Sequence, residues 1–166
     1  MRDTPEDLAR VDRLLEASYA AAGSHLLSVI TPERRLNAAQ LSARLTGMCL
    51  LSLATTTSAG EPRVGPVDGI YYRGDFWFGS SPDSLRFRHI AARPAVSATH
   101  VPGEHLSVTV HGQARRVNLH DPGQAEFSEL CVEIYGDSWK DWGAGAAYAR
   151  IDAERMFTFF LEKGSG

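Results

Sequence analysis

Met48-Cys49-Leu50-Leu51-Ser52-Leu53-Ala54-Thr55-Thr56-Thr57-Ser58-Ala59-Gly60-Glu61 is where the chain changes its period. Leu51, Leu53 and Thr55 alternate with Leu50, Ser52 and Ala54 in a mostly apolar run, the pattern of a buried strand, and Ser58-Ala59-Gly60-Glu61 supplies a turn. A second strand is expected over residues 62–72, Arg73-Gly74-Asp75 turns the chain, and Phe76-Trp77-Phe78 begins a third. The three make a meander. Residues 84–92 read as a short helix with Leu85, Ile90 and Ala91 facing inward, stopped at Arg93-Pro94 because the residue before proline disfavours helix. Strands resume at 95–99 and 106–117. Asp121-Pro122-Gly123 opens a helix over 124–135, the Gly- and Trp-rich 136–147 is expected as a loop, and 156–161 is a final apolar strand.

Upstream the period is helical. Thr4 is placed to cap a helix with Pro5 at its first position and acids facing the positive end of the dipole. Leu8, Val11, Leu15, Tyr19 and Ala22 recur at helical spacing before Gly23. A second start at Thr31-Pro32-Glu33 leads through Leu36, Ala39 and Leu45 to Gly47. Two amphipathic helices thus precede six strands, which fits an α+β chain built as a small antiparallel barrel with helices around it. At 166 residues one core suffices, so residues 1–166 are expected as a single domain. Its parts are a helical extension (1–47), a barrel core (48–117) and a closing segment (118–166).

The composition, 43% hydrophobic and 22% charged, excludes a wholly disordered or fibrous chain. No apolar run reaches the roughly 18 residues of a membrane span, and the acidic start Met1-Arg2-Asp3-Thr4-Pro5-Glu6-Asp7 is unlike a secretory signal. A cytoplasmic protein is expected. Cys49 and Cys131 then read as free thiols. A net charge of -3 argues against a generally basic nucleic-acid binder. All basic residues but Lys140 and Lys163 are arginine, which is either a compositional habit or a preference for forked recognition of phosphate and carboxylate.

The common catalytic signatures are missing: no Gly-x-Gly-x-x-Gly after a strand, no phosphate-binding Gly-Lys-Ser/Thr loop, no His-Glu-x-x-His, no Cys-x-x-Cys. His100, His105 and His111 flank or occupy consecutive strands, but no carboxylate or cysteine stands at metal-binding spacing, so no metal is expected. The strongest local signal is Gly79-Ser80-Ser81-Pro82-Asp83-Ser84-Leu85-Arg86-Phe87-Arg88-His89. A strand end here passes through hydroxyl residues into an arginine-bearing helix start, where unpaired amides and guanidinium groups offer donors to an anion. The alternative is an ordinary capped helix with solvated arginines.

The order Gly60-Glu61-Pro62-Arg63-Val64-Gly65-Pro66-Val67, aromatic strand, Ser80-Ser81, Arg86, His89-Ile90, Arg93-Pro94-Ala95-Val96 and His111-Gly112 resembles the pyridoxamine 5'-phosphate oxidase-like, flavin-binding split-barrel superfamily. The resemblance covers residues 36–117, with an echo in the final strand. It implies a six-stranded antiparallel split β-barrel with flanking helices, the amino-terminal helices being an extension. It further implies a homodimer with an FMN at the subunit interface, or the 8-hydroxy-5-deazaflavin coenzyme (factor 420) in its place. The family's strand edge against the flavin ring matches Gly60, Pro62, Pro66 and Val67, so Arg63, Val64, Gly65, Pro66 and Val67 become candidate cofactor contacts. The hydroxyl pair matches Ser80 and Ser81, and the phosphate-binding basic residue matches Arg86, with Arg88 as a second contact. A ring-contacting Gln-Val pair is replaced by Ser107-Val108. The Arg-x-His substrate signature is missing from 156–166, which speaks against true pyridoxamine phosphate oxidation.

Expected activity is therefore flavin-dependent hydride transfer with a small organic substrate, needing no conspicuous acid or base because the cofactor carries the chemistry. Tyr135, Trp139, Trp142 and Tyr148 form an aromatic cluster in which Trp139 and Trp142 either close over a ring or, as is commoner for large aromatics, cover the core. The competing class is a non-catalytic flavin or haem carrier, with His89, His100, His105 or His111 as axial ligand. An oligonucleotide-binding barrel is disfavoured because Phe76-Trp77-Phe78 lacks interleaved basic residues.

Overall fold

In the computed structural model, which describes residues 2–162, six strands close into an antiparallel barrel. They are β1 (Met48–Thr56), β2 (Pro62–Tyr72), β3 (Asp75–Ser80), β4 (Ala95–Gly103), β5 (Leu106–Val117) and β6 (Ala147–Phe160), in the order β1-β2-β3-β6-β5-β4. The alternation read in β1 holds: Cys49, Leu51, Leu53 and Thr55 are buried, while Met48, Leu50 and Ser52 face out. Phe76 and Phe78, Val108 and Val110, Ile151 and Met156 fill the same interior. β6 starts nine residues before the expected strand. Its outward positions carry Arg150, Asp152 and Glu154, which pair with each other and with β5 and hide the strand's apolar signal. The expected Gly164-Ser165-Gly166 tail lies outside the described residues.

Helix α1 (Pro5–Ala20) begins as the sequence indicates, with a capping box in which Asp7 N donates to Thr4 Oγ1 and Thr4 N to Asp7 Oδ2. The expected second helix is corrected. Thr31-Pro32-Glu33 starts only a single 3₁₀ turn, because the chain straightens at Arg35. Helix then restarts as α3 (Ala38–Arg44), where Asn37 and Gln40 form their own capping box. Gly23, expected as a stop, precedes a further short helix, α2 (Ser24–Val29).

β3 is too short to cover β6. It pairs only with Ala147 to Arg150, leaving Ile151 onward without a strand on that side. Helix α1 covers this edge with side-chain hydroxyls. Met156 N donates to Ser18 Oγ (3.0 Å), Thr158 N to Tyr19 Oη (2.9 Å), and Tyr19 Oη to Thr158 O (3.1 Å). Leu36 N adds a bond to Thr158 Oγ1 (2.9 Å). Barrel closure and α1 thus cover these strand edges within one chain. Val11, Leu15, Tyr19, Leu36 and Leu41 join the barrel residues in one buried cluster. Tyr19→Phe strands a buried N–H and a buried C=O of Thr158 and is expected to cost about 2 kcal/mol, read as a lower urea midpoint at unchanged slope.

Helix α4 (Leu85–Ala92) plugs one barrel end. The inward residues are Phe87 and Ile90, not Leu85 and Ala91, which are exposed. Phe87 stacks on Phe78 (5.9 Å between centroids), His89 Nδ1 bonds Thr55 Oγ1 (2.9 Å), and Arg93 Nε donates to Thr56 O (3.0 Å). Helix α5 (Ala125–Tyr135) forms where a helix over 124–135 is expected, while the one-turn α6 (Trp139–Trp142), followed by a 3₁₀ turn, replaces much of the loop expected over 136–147. They lay Phe127, Cys131 and Trp139 over Ile70, Tyr72, Trp77 and Tyr148 on the outer face of β2, β3 and β6. Trp77 stacks on Phe127 at 4.3 Å. Both cysteines are free and buried, and burial pushes Cys49 up to about 11 and Cys131 to about 12, which leaves them chemically quiet.

Candidate functional site

Between the outer surface of β2, β3 and the start of β6 on one side, and residues 135–146 on the other, lies a cavity of about 570 Å³. Small-molecule sites span roughly 300–1,000 Å³. Pro66, Val67 and Asp68 of β2, Trp77 and Gly79 of β3, and Tyr148 of β6 make its strand wall. Gly79 and Tyr148 are register partners, and a Cβ on residue 79 would stand 2.8 Å from the Tyr148 ring, so the glycine lets the ring lie against the strand. Tyr148 Oη accepts from Trp139 Nε1 (2.8 Å), which leaves its own O–H free to donate. Trp142, half exposed, stands edge-on to Tyr135 (5.4 Å, 76°) on the opposite wall. Burial first, and then the Asp68 carboxylate, push the Tyr135 phenol above its ordinary range; burial does the same for Tyr148. Both phenols therefore remain protonated donors around neutral pH.

At one end of the cavity β3 gives out into Ser80 and Ser81, and Ser84 Oγ accepts from Phe87 N to start α4. Because Phe87 is drawn into the barrel, its neighbour Arg86 is carried along the outside of β2 and β3. Arg86 Nη2 donates to Pro66 O (2.9 Å) and Nη1 to Ser80 Oγ (3.3 Å). A Cβ at residue 65 would stand 3.3 Å from Arg86 Nη2, so Gly65 is the floor under the guanidinium. Burial alone lowers the Arg86 pKa, and among the described residues no carboxylate forms an ion pair with it. A half-buried cation with spare N–H groups, two hydroxyls and no counter-charge is a receptor for an anion.

The structure thus brings Pro66, Val67, Ser80, Ser81 and Trp142 into one cavity wall, with Gly65 and Arg86 at its edge. It does not bring in the rest. The exposed Arg63 pairs with Glu61 (2.6 Å), Val64 is 70% exposed, and Arg88 is exposed on α4. Ser107 pairs with Phe159, at the far end of β5 from Val117, whose partner is Tyr148. Trp139 is buried and supports Tyr148 from behind, the core-packing reading of that residue. Trp77 and Asp68 were not read as site residues from the sequence, and Gly79 entered only as the start of the strand-to-helix stretch. Period-2 alternation marks Trp77 only as a strand residue, and the convergence of β2, β3 and β6 carries no local signal.

The histidines do not converge. His111 Nδ1 bonds Ser97 Oγ (2.7 Å), His100 Nδ1 bonds Leu50 O (2.9 Å), and His89 Nδ1 is held by Thr55. Among the described residues no group of three or more potential metal ligands is found, and no helix is long and apolar enough to cross a membrane.

The sequence model of the family described as pyridoxamine 5'-phosphate oxidase matches residues 38–163. No curated protein matches the chain. Solved structures share the fold at low identity. A conserved hypothetical protein from Mycobacterium tuberculosis is 18% identical at TM-score 0.64, covering 81% of this chain and 94% of its own. An FAD-binding protein from Mesorhizobium loti is 22% identical at TM-score 0.59, covering 75% and 93%. The heme storage protein HutZ from Vibrio cholerae is 18% identical at TM-score 0.58, covering 67% and 84%. The chain spans about half (52%) of a longer protein of similar fold from Agrobacterium tumefaciens.

Proposed function

Because the chain belongs to the pyridoxamine 5'-phosphate oxidase family, we propose that the cavity beside β2 and β3 binds FMN and that the protein is a flavin-dependent oxidoreductase acting on a small organic molecule. The observation that carries this reading is Arg86, a half-buried guanidinium without a carboxylate partner among the described residues, set beside Ser80 at the cavity edge. The residues fit the group: Arg86, Ser80 and Ser81 for the phosphate, aromatic and apolar walls from Val67, Trp77, Trp142 and Tyr148 for a ring system, and a free Tyr148 O–H as donor. FMN, when bound, supplies hydride transfer. This chain's own residues bind, orient and exclude water.

The functional unit in this reading is a homodimer. On β1, the start of β2 and the end of β4 an apolar set lies open, with Met48, Leu50, Val64 and Val101 46–70% exposed. Arg63, Val64, Arg88 and Ser107, away from the cavity within one subunit, are then available to the partner's site. The two buried thiols accord with a cytoplasmic protein.

Titration of the purified protein with FMN, with the deazaflavin coenzyme and with haem, followed by absorbance, tests the reading. FMN is expected to bind with a Kd well below about 1 mM, a binding free energy beyond about 4 kcal/mol. Tighter binding of the deazaflavin would reassign the cofactor but keep the phosphate site. A Soret band with no flavin binding would replace the reading by a haem carrier.

A further inference from the structure

Behind the segment 139–147 lies a second cavity, of about 540 Å³, which shares only Ala146 with the first. Its interior is apolar, with Val117, Leu119 and the Trp139 ring, and Gly143 sits so close over that ring that a Cβ would stand 2.4 Å from it. Its charged lining residues are both cations, Arg116 and Lys140. Neutral Asn118 and Ser128 and the imidazole of His120 stand with them, and among the described residues no aspartate or glutamate lines the cavity. Arg116 lies over the Phe87 ring (5.2 Å) and forms no ion pair among the described residues. Lys140 Nζ forms an exposed ion pair with Asp137 (2.8 Å), outside the lining, and keeps two N–H groups for a second anion, whereas Arg116 is the cation with no carboxylate partner among the described residues. The polar cleft around Asp75 is the contrast. There Arg10, Arg73 and Arg150 are matched by Asp7, Asp75 and Asp152, so it needs no anion from outside.

We propose that this second cavity binds a small molecule with an apolar or aromatic body and one anionic group, a carboxylate or a phosphate. The body lies against Trp139, Val117 and Leu119, and the anion is held by Arg116 and Lys140. Trp139 also donates to Tyr148, the wall of the first cavity, so an occupant here touches a residue that supports the proposed flavin site without entering it.

Calorimetry with 2-naphthoate and its neutral analogue naphthalene-2-carboxamide tests this, together with the Trp139 indole N–H resonance assigned with Trp139→Phe. The carboxylate is expected to bind, to shift that resonance, and to bind at least about tenfold tighter than the carboxamide. Arg116→Ala and Lys140→Ala are each expected to weaken the carboxylate about three- to tenfold, as exposed charges do, and to leave the carboxamide unchanged. Equal affinity for both probes, no binding of either, or insensitivity to both substitutions would overturn the proposal. None of these results depends on whether the first cavity takes a flavin.

Discussion

Arg86→Ala is expected to weaken FMN binding by roughly ten- to over a hundred-fold, the equivalent of losing a charge-assisted hydrogen bond of about 1.5 to 3 kcal/mol. The guanidinium stands over Gly65 with two N–H groups committed to Pro66 O and Ser80 Oγ and the others unspent. Bringing a phosphate there satisfies a cation already partly stripped of water, which is why the loss should exceed that of an exposed arginine. Arg86→Lys is expected to recover part of the affinity, since a point charge attracts phosphate without forked geometry. The bond to Pro66 adds a structural share, expected at about 1 kcal/mol in urea unfolding. Calorimetry above, and a melt below, the affinity change separate the two. An alanine variant that binds FMN like the parent removes the phosphate assignment.

Gly112→Ala is expected to be the more damaging change to the fold, at about 3 kcal/mol or more. Between His111 and Gly112 the register of β5 against β6 slips, His111 facing Arg155 and Gly112 facing Ala153, so Glu154 is the extra residue of a bulge. A Cβ on residue 112 would stand 2.1 Å from Asp152 O and 2.9 Å from Ala153 Cα. Both are backbone atoms in the middle of a strand and cannot rotate aside. Gly123→Ala is the control, since nothing lies within 4 Å of its Cβ position, and it is expected to leave the urea midpoint unchanged within about 0.5 kcal/mol. A Gly112→Ala protein as stable as the Gly123→Ala one would mean that the bulge relocates.

What the sequence disclosed follows the range of its forces. β2 and β5 begin and end where period-2 alternation and the flanking turns place them, and α1 starts at its capping box, because these are contests among residues a few positions apart. The start of β6 was hidden, since outward Arg150 pairs with Asp152 along the strand and Asp152 also pairs with Arg115 of β5, a cross-strand partner that no short window shows. Of the inward residues read for α4, Ile90 is buried but Leu85 and Ala91 are exposed, and Phe87 is the one missed. Leu85 is as apolar as Phe87, and the open barrel end above Phe78 decides which of them is buried. The same holds at the site. Ser80 and Arg86 were legible as one strand-to-helix junction, whereas Trp77, Asp68 and Tyr148 meet only after three strands have paired.

The strand order also sets a timetable for assembly. β6 stands between β3 and β5, so neither neighbour finds its partner until the strand translated last has been made. β1, β2 and β3 form a meander early, and β4 and β5 form a hairpin, but the intermediate carries two raw edges and an open interior. Contacts such as Ser18 to Met156 and Tyr19 to Thr158 join residues 138 and 139 positions apart and come only at the end. Such a topology folds slowly for its size and exposes sticky strands while it does so. Chaperone load and inclusion-body formation during overexpression should therefore fall on the step that docks β6, long before any cofactor is in question.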